Sequence, residues 1–135
     1  MKKMYILTVL IIVVLTIGFL LFFGDENTIN KRFLSTYKIK VSDKPCIVEE
    51  IEIPLEFTDY YESYNVLQIE SGLTLSPYKG KKATKYTYQM LNFPQKTDVP
   101  VYVNVITIDS KPIAGDINCP SLSGFILPLS YLLKK

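Results

Sequence analysis

Apolar and polar residues follow three rhythms along this chain. Residues 4–23, MYILTVLIIVVLTIGFLLFF, run for 20 residues without a charge, between Lys2-Lys3 and Asp25-Glu26. A helix of that length spans about 30 Å, the thickness of a bilayer's hydrocarbon core. Beyond it the apolar residues recur at helical spacing in two places and at strand spacing in four.

Ile29, Phe33 and Tyr37 recur at intervals of four and predict a short helix over about 28–37. Ser42-Asp43-Lys44-Pro45 is a turn. Residues 47–53, IVEEIEI, read as a strand with Ile47, Ile51 and Ile53 on one face. Glu49 falls on that same apolar face, which a bulge or a strand-end position would explain. Pro54 stops the strand and opens a helix predicted over 55–71, with a stripe of Phe57, Tyr60, Tyr61, Tyr64 and Leu67 facing the core and Gly72 at its end. A loop over 73–82 leads to a strand over about 82–92. The β-branched run 99–108 then places Val99, Val101, Val103 and Val105 on one face, and Tyr102, Asn104, Ile106 and Ile108 on the other. Asp109-Ser110 turns the chain into a strand over 111–117, with Ile113 opposite Ile106 and with Pro112 suited to an edge. Residues 119–135 read as an irregular tail or a short helix.

These elements predict an α+β fold: an N-terminal transmembrane helix, then a two-layer domain in the order α-β-α-β-β-β. Strands joined by short loops pair antiparallel, and the helices cover one face of the sheet. Two units follow, residues 1–23 as cytoplasmic end and anchor, and 24–135 as an extracytoplasmic domain. A cleaved signal peptide is the competing reading of the first unit. The length of the run and its bulky end at Phe19–Leu20–Leu21–Phe22–Phe23 favour a retained signal-anchor. Lys2 and Lys3 place the N-terminus on the cytoplasmic side of the cell membrane and the domain outside, although Lys31, Arg32, Lys38 and Lys40 fall in the same counting window. The lipid bilayer is thus the first expected partner, through residues 4–23.

Charge narrows the other partners. Beyond residue 23 basic and acidic residues number 13 each, which leaves no general attraction to nucleic acid. They are unevenly placed. Eight acids and one base occupy 43–70, whereas five lysines and no acid occupy 71–96. Lys79, Lys81, Lys82 and Lys85 are a candidate interaction surface for phosphate-bearing polymers or head groups, or simply a solvated face. Glu49, Glu50, Glu52, Glu56, Asp59 and Glu62 could serve a paired-carboxylate hydrolase or form the wet side of a strand and helix. Histidine is absent, which excludes Ser-His and Cys-His nucleophile pairs. With two cysteines and no histidine, neither a metal site nor a cofactor motif emerges. In an oxidising compartment Cys46 and Cys119 could close a disulfide, or they could be two buried thiols.

Several segments together resemble a bacterial (Firmicutes) domain-of-unknown-function family, the one numbered 4830. They are FLSTYKIKV, EEIEIPLEF with YESYNVLQ, LSPYKGKKATKYTYQMLNFP, and IAGDINC with SGF, spanning about 33–125. The matching residues are Pro54, Phe57, Tyr64, Asn65, Leu67, Gln68, Gly72, Gly80, Lys81, Tyr86, Thr87, Tyr88, Asn92, Gly115, Asp116, Cys119, Gly124 and Phe125. Two departures are the Asp109-Ser110 turn, where Asp-Gly is usual, and the stretch carrying Asn118 and Pro120. The resemblance implies a short protein with an N-terminal membrane segment and brings no activity with it. The functional expectation is therefore a membrane-anchored domain that binds a protein or an envelope component rather than an enzyme. A carboxylate-dependent envelope hydrolase, or an accessory subunit of a membrane complex, is the alternative.

Overall fold

A computed structural model describes the backbone of residues 2–23 and 26–134, and the side chains of 2–16 and 26–134. Helix α1 covers Lys2–Phe23 and α2 covers Glu26–Ser35. Strand β1 (Ile47–Glu52), helix α3 (Asp59–Glu70), strands β2 (Lys82–Gln89), β3 (Tyr102–Ile108), β4 (Lys111–Cys119) and β5 (Phe125–Leu127) follow. Short 3-10 turns occupy Ser76–Tyr78 and Leu129–Lys134. The strands form one antiparallel sheet in the order β1-β2-β3-β4-β5.

The α+β class is as expected, but three parts of the expectation are corrected. First, among the described residues no helix is long and apolar enough to cross a membrane. A span needs about 20 predominantly apolar residues in one helix, about 30 Å of rise. Phe19–Leu20–Leu21–Phe22–Phe23, on which the anchor reading leaned, lies outside the described side chains. The transmembrane signal-anchor, and with it the single-pass location, is therefore withdrawn.

Second, the element order differs, because the tail supplies β5. Third, the helices do not share a face. Tyr86, Tyr88, Val103, Val105 and Ile117 pack with Leu34 of α2 and with Leu129. Ala83, Ile106 and Ala114 pack with Ile53, with Leu75 and with Tyr64 of α3. Side chains alternate along a strand, and the observed register puts these two sets on opposite faces. The sheet is the middle of three layers.

The valine stripe explains the first face. Val101, Val103 and Val105 are buried, as period-two patterning requires. Helix α2 is tied there by polar contacts as well. Glu26 accepts hydrogen bonds from the hydroxyls of Tyr86 and Ser110, the latter at 2.7 Å. The Tyr88 hydroxyl donates to Asn27 at 2.6 Å. Burial, then the bond to the Glu26 carboxylate, raises the Tyr86 hydroxyl pKa, so the phenol remains protonated as donor.

Helix α3 starts later than its apolar stripe suggested. Thr58 caps it, accepting from the Tyr61 backbone amide at 3.4 Å. Its buried residues are Tyr64, Asn65 and Gln68, while Tyr60 is largely exposed and Leu67 only half-buried. Of the expected stripe, Tyr60 is exposed, Phe57, Tyr61 and Leu67 are half-buried and Tyr64 is buried, and the buried side is partly polar.

The β3–β4 hairpin carries the feature that matters most for the site. Asp109 and Ser110 both adopt positive φ, 49° and 62°, the left-handed pair of a tight hairpin turn. The register then shifts between Ile106 and Thr107, so Ile106 pairs with Ala114 and not with Ile113. A one-residue slip exchanges the faces of everything beyond it. Without the bulge, Asp116 would oppose Val103 and point into the valine core. With it, Asp116 opposes Asn104 on the α3 face, and Ile117 takes the place against Val103.

Candidate functional site

On the α3 face a polar row crosses the sheet. Thr87, Asn104 and Asp116 are direct cross-strand neighbours on β2, β3 and β4. The Thr87 hydroxyl donates to Asn104 Oδ1 at 2.7 Å, which fixes the amide orientation. Asn104 Nδ2 consequently points at Asp116, 3.3 Å from each carboxylate oxygen. Asn118 Nδ2 donates to Asp116 Oδ1 at 2.9 Å. From α3, the Tyr64 hydroxyl donates to Oδ2 at 2.5 Å.

Asp116 is only 3% exposed. Burial disfavours its charged form and raises its pKa, against the opposing pull of the bonds from Tyr64, Asn118 and Asn104 and the field of Lys85. Tyr64 is held well above the usual phenol range, first by burial and then by the Asp116 charge. It is a fixed donor, not a base.

Tyr64 is positioned by its own helix turn. Gln68, one turn further on and fully buried, donates to the Gly115 carbonyl and accepts from the Gly115 amide, both at 2.9 Å. Strand β5 pairs with β4 only from Ile117 onward, so the Gln68 amide supplies the two ladder bonds that β5 does not reach. Asn65 anchors the following loop by accepting from the Leu75 amide at 2.7 Å. The helix is thereby pinned on both sides of the Tyr64–Asp116 contact.

Two adjoining cavities meet at this pair. The larger, about 480 Å³, is lined by Tyr60, Tyr64, Asn104, Asp116 and Asn118 and walled by residues that include Phe125. The smaller, about 120 Å³, shares Tyr60, Tyr64, Asn104 and Asp116 and adds Tyr61, Lys85 and Ile51. Tyr60 stacks on Tyr64 with ring centroids 6.2 Å apart, and Phe125 stacks on Phe93 at 5.1 Å. The result is a cleft with a carboxylate and amides at its floor and the Tyr60 ring at its rim; the Phe125 ring turns to the valine face, where it packs on Phe93. That composition suits a small ligand.

The residues singled out from the sequence lie elsewhere or do different things. Glu50, Glu52, Glu56, Asp59 and Glu62 are exposed and do not converge. Glu49 sits directly opposite Lys85 and pairs with it at 3.2 Å, which explains an acid on that face without a bulge. Lys79 lies 4.6 Å from the centre of the Phe57 ring and Lys81 5.8 Å from that of Tyr78, while Lys82 opens β2 opposite Glu52. The four lysines thus do not form one bare cationic patch. Cys46 and Cys119 are free thiols, one exposed and one buried. Cys46 precedes the first strand, and Cys119 ends β4, with β2 and β3 between them. Three strand spacings are about 14 Å, against the roughly 7 Å limit for a disulfide. The possible bridge is not formed, and of the alternative pair of buried thiols only Cys119 is buried. Among the described residues no cluster of three or more His, Cys, Asp or Glu is placed to hold a metal ion.

Patterning named Tyr64 only as a core residue and Asn104 only as a strand position, and did not single out Asp116. A buried Asp or Asn has the same hydropathy as a solvated one, and the bulge that turns Asp116 toward Asn104 has no signature in hydropathy. The resemblance did include Tyr64, Gln68, Gly115 and Asp116, without a role for any of them.

No family model, curated protein or solved structure matches this chain.

Proposed function

We propose that this chain is a binding domain and that its site is the cleft between α3 and the β3–β4 hairpin. The single observation that carries the reading is Asp116, a carboxylate buried at the floor of a cleft and oriented by three separate donors. Burying such a group costs stability. Fully satisfied networks of this kind hold their members in one geometry, which is what a recognition site requires. The donors converge on the carboxylate and occupy both of its oxygens, so what the floor offers a ligand is the charge of Asp116 and the acceptor capacity of the Tyr64 oxygen. A ligand that carries hydrogen-bond donors and packs beside Tyr60 fits that floor. The residues of the family resemblance that fall here, Tyr64, Gln68 and Asp116, belong to the same proposal.

A hydrolase reading has less support, because the exposed carboxylates on β1 and α3 do not meet in a concave site. The test is a fragment screen on the full-length ¹⁵N-labelled chain in a nonionic detergent, read by amide shifts. The binding reading expects hits that shift Asn104, Asp116, Asn118 and Gly124 together. Hits scattered over the surface, or none, contradict it.

A further inference from the structure

Resting on that binding reading, we infer that the ligand is a small organic cation, an ammonium or guanidinium compound, seated with its charge against Asp116.

Charge bookkeeping around the cleft leads there. Buried carboxylates are normally paired with a base. Asp116 receives hydrogen bonds from a phenol and two amides, all neutral. No lysine or arginine lines the larger cavity. From α3 the titratable groups facing it are Tyr60 and Tyr64, while Cys119 borders it but packs with the valine core. From β2 the only cation at the smaller cavity is Lys85, already bonded to Glu49 of β1. Asp116 therefore lines the cleft without an ion-pair partner among the described residues, and the field of Lys85 that reaches it is shared with Glu49.

The walls agree with the floor. Tyr60 is 61% exposed although it stacks on Tyr64, leaving a ring free at the rim of the cleft. Aromatic faces attract ammonium and guanidinium groups more strongly than neutral ones. A neutral polyol would satisfy the acceptors but leave the carboxylate's charge as it is. A cation satisfies both, and it makes the charged form of Asp116 easier to hold.

The experiment compares cadaverine with its neutral isostere 1,5-pentanediol and with glucose, on the full-length labelled chain in nonionic detergent. Cadaverine is expected to shift the amides of Asp116, Asn118 and Gly124 in a saturable manner. The diol is expected to shift them at least about tenfold more weakly, and added salt to weaken the diamine alone. Tyr60→Ala, at an exposed position, should retain the remaining spectrum and reduce diamine affinity by roughly two- to fivefold. Asp116→Asn should abolish the preference of diamine over diol; where that variant does not fold, Tyr60→Ala and the isostere comparison decide. If diol or glucose binds the cleft as well as the diamine, the cation inference falls and the binding reading stands. If none of the three shifts these amides, the inference falls, and the fragment screen decides the binding reading separately.

Discussion

Gln68 and Asp116 are both polar, both almost inaccessible, and each is bound to partners far away in sequence. Gln68 satisfies the amide and the carbonyl of Gly115 together. Gln68→Leu keeps the volume and orphans two buried backbone groups, so a loss of about 1–3 kcal/mol for each is expected in urea unfolding. A loss under about 1 kcal/mol would mean that water replaces the amide. Asp116 carries a pH signature. Its native pKa is raised, so the native state holds that proton more tightly than the unfolded chain does. Its contribution to stability is fully present below about pH 3.8, the ordinary value, and is lost as pH rises through the native pKa. Measured from acid toward neutral, the stability of Asp116→Asn relative to the parent should therefore improve. A difference independent of pH would show that Asp116 titrates normally. Neither residue was legible from hydropathy, because an aspartate or glutamine held inside a network scores as though it faced water.

At the scale of elements, periodicity read well where one face is uniformly apolar. Val101, Val103 and Val105 alternate cleanly, and all three are buried. It read poorly on α3, where Tyr60 is exposed and Asn65 and Gln68 are buried, because the core side of that helix is built from hydrogen bonds as much as from packing. The hairpin turn was readable at Asp109-Ser110, but the bulge beyond it was not, and the bulge decides which face Asp116 takes. Gly115 is the tightest point of β4. A Cβ there would overlap the Asn104 carbonyl oxygen and come within 2.9 Å of a Leu129 methyl carbon. Gly115→Ala must displace β3 or the C-terminal turn, and a fall in melting temperature with broadened Asn104 and Asp116 resonances is expected. An unchanged spectrum would contradict the packing of β4 described above.

For the molecule as a whole, the sheet order separates what the sequence could only list. Cys46 and Cys119 were adjacent candidates while their strands had no order; in the sheet two strands stand between them. Native protein should label with a thiol reagent at exposed Cys46 within the first phase, and at buried Cys119 only on unfolding, with no reductant required. Protection of both thiols until reduction would contradict the sheet order. The class of the fold was legible because short loops force antiparallel neighbours. The distribution of helices over two faces was not, since each helix has an apolar side and nothing local says which side of the sheet it meets. The same three-layer arrangement creates the cleft, by bringing Tyr60 and Tyr64 of α3 over the polar row of the hairpin.

We propose the buried carboxylate of Asp116 as the recognition group of that cleft. The side-chain carboxyl ¹³C shift of Asp116, followed through a pH titration with and without cadaverine, tests it most directly. In the free protein the midpoint should lie above the ordinary value of 3.8, and the diamine should move it down. A midpoint at or below the ordinary value, unmoved by the diamine, would contradict the account.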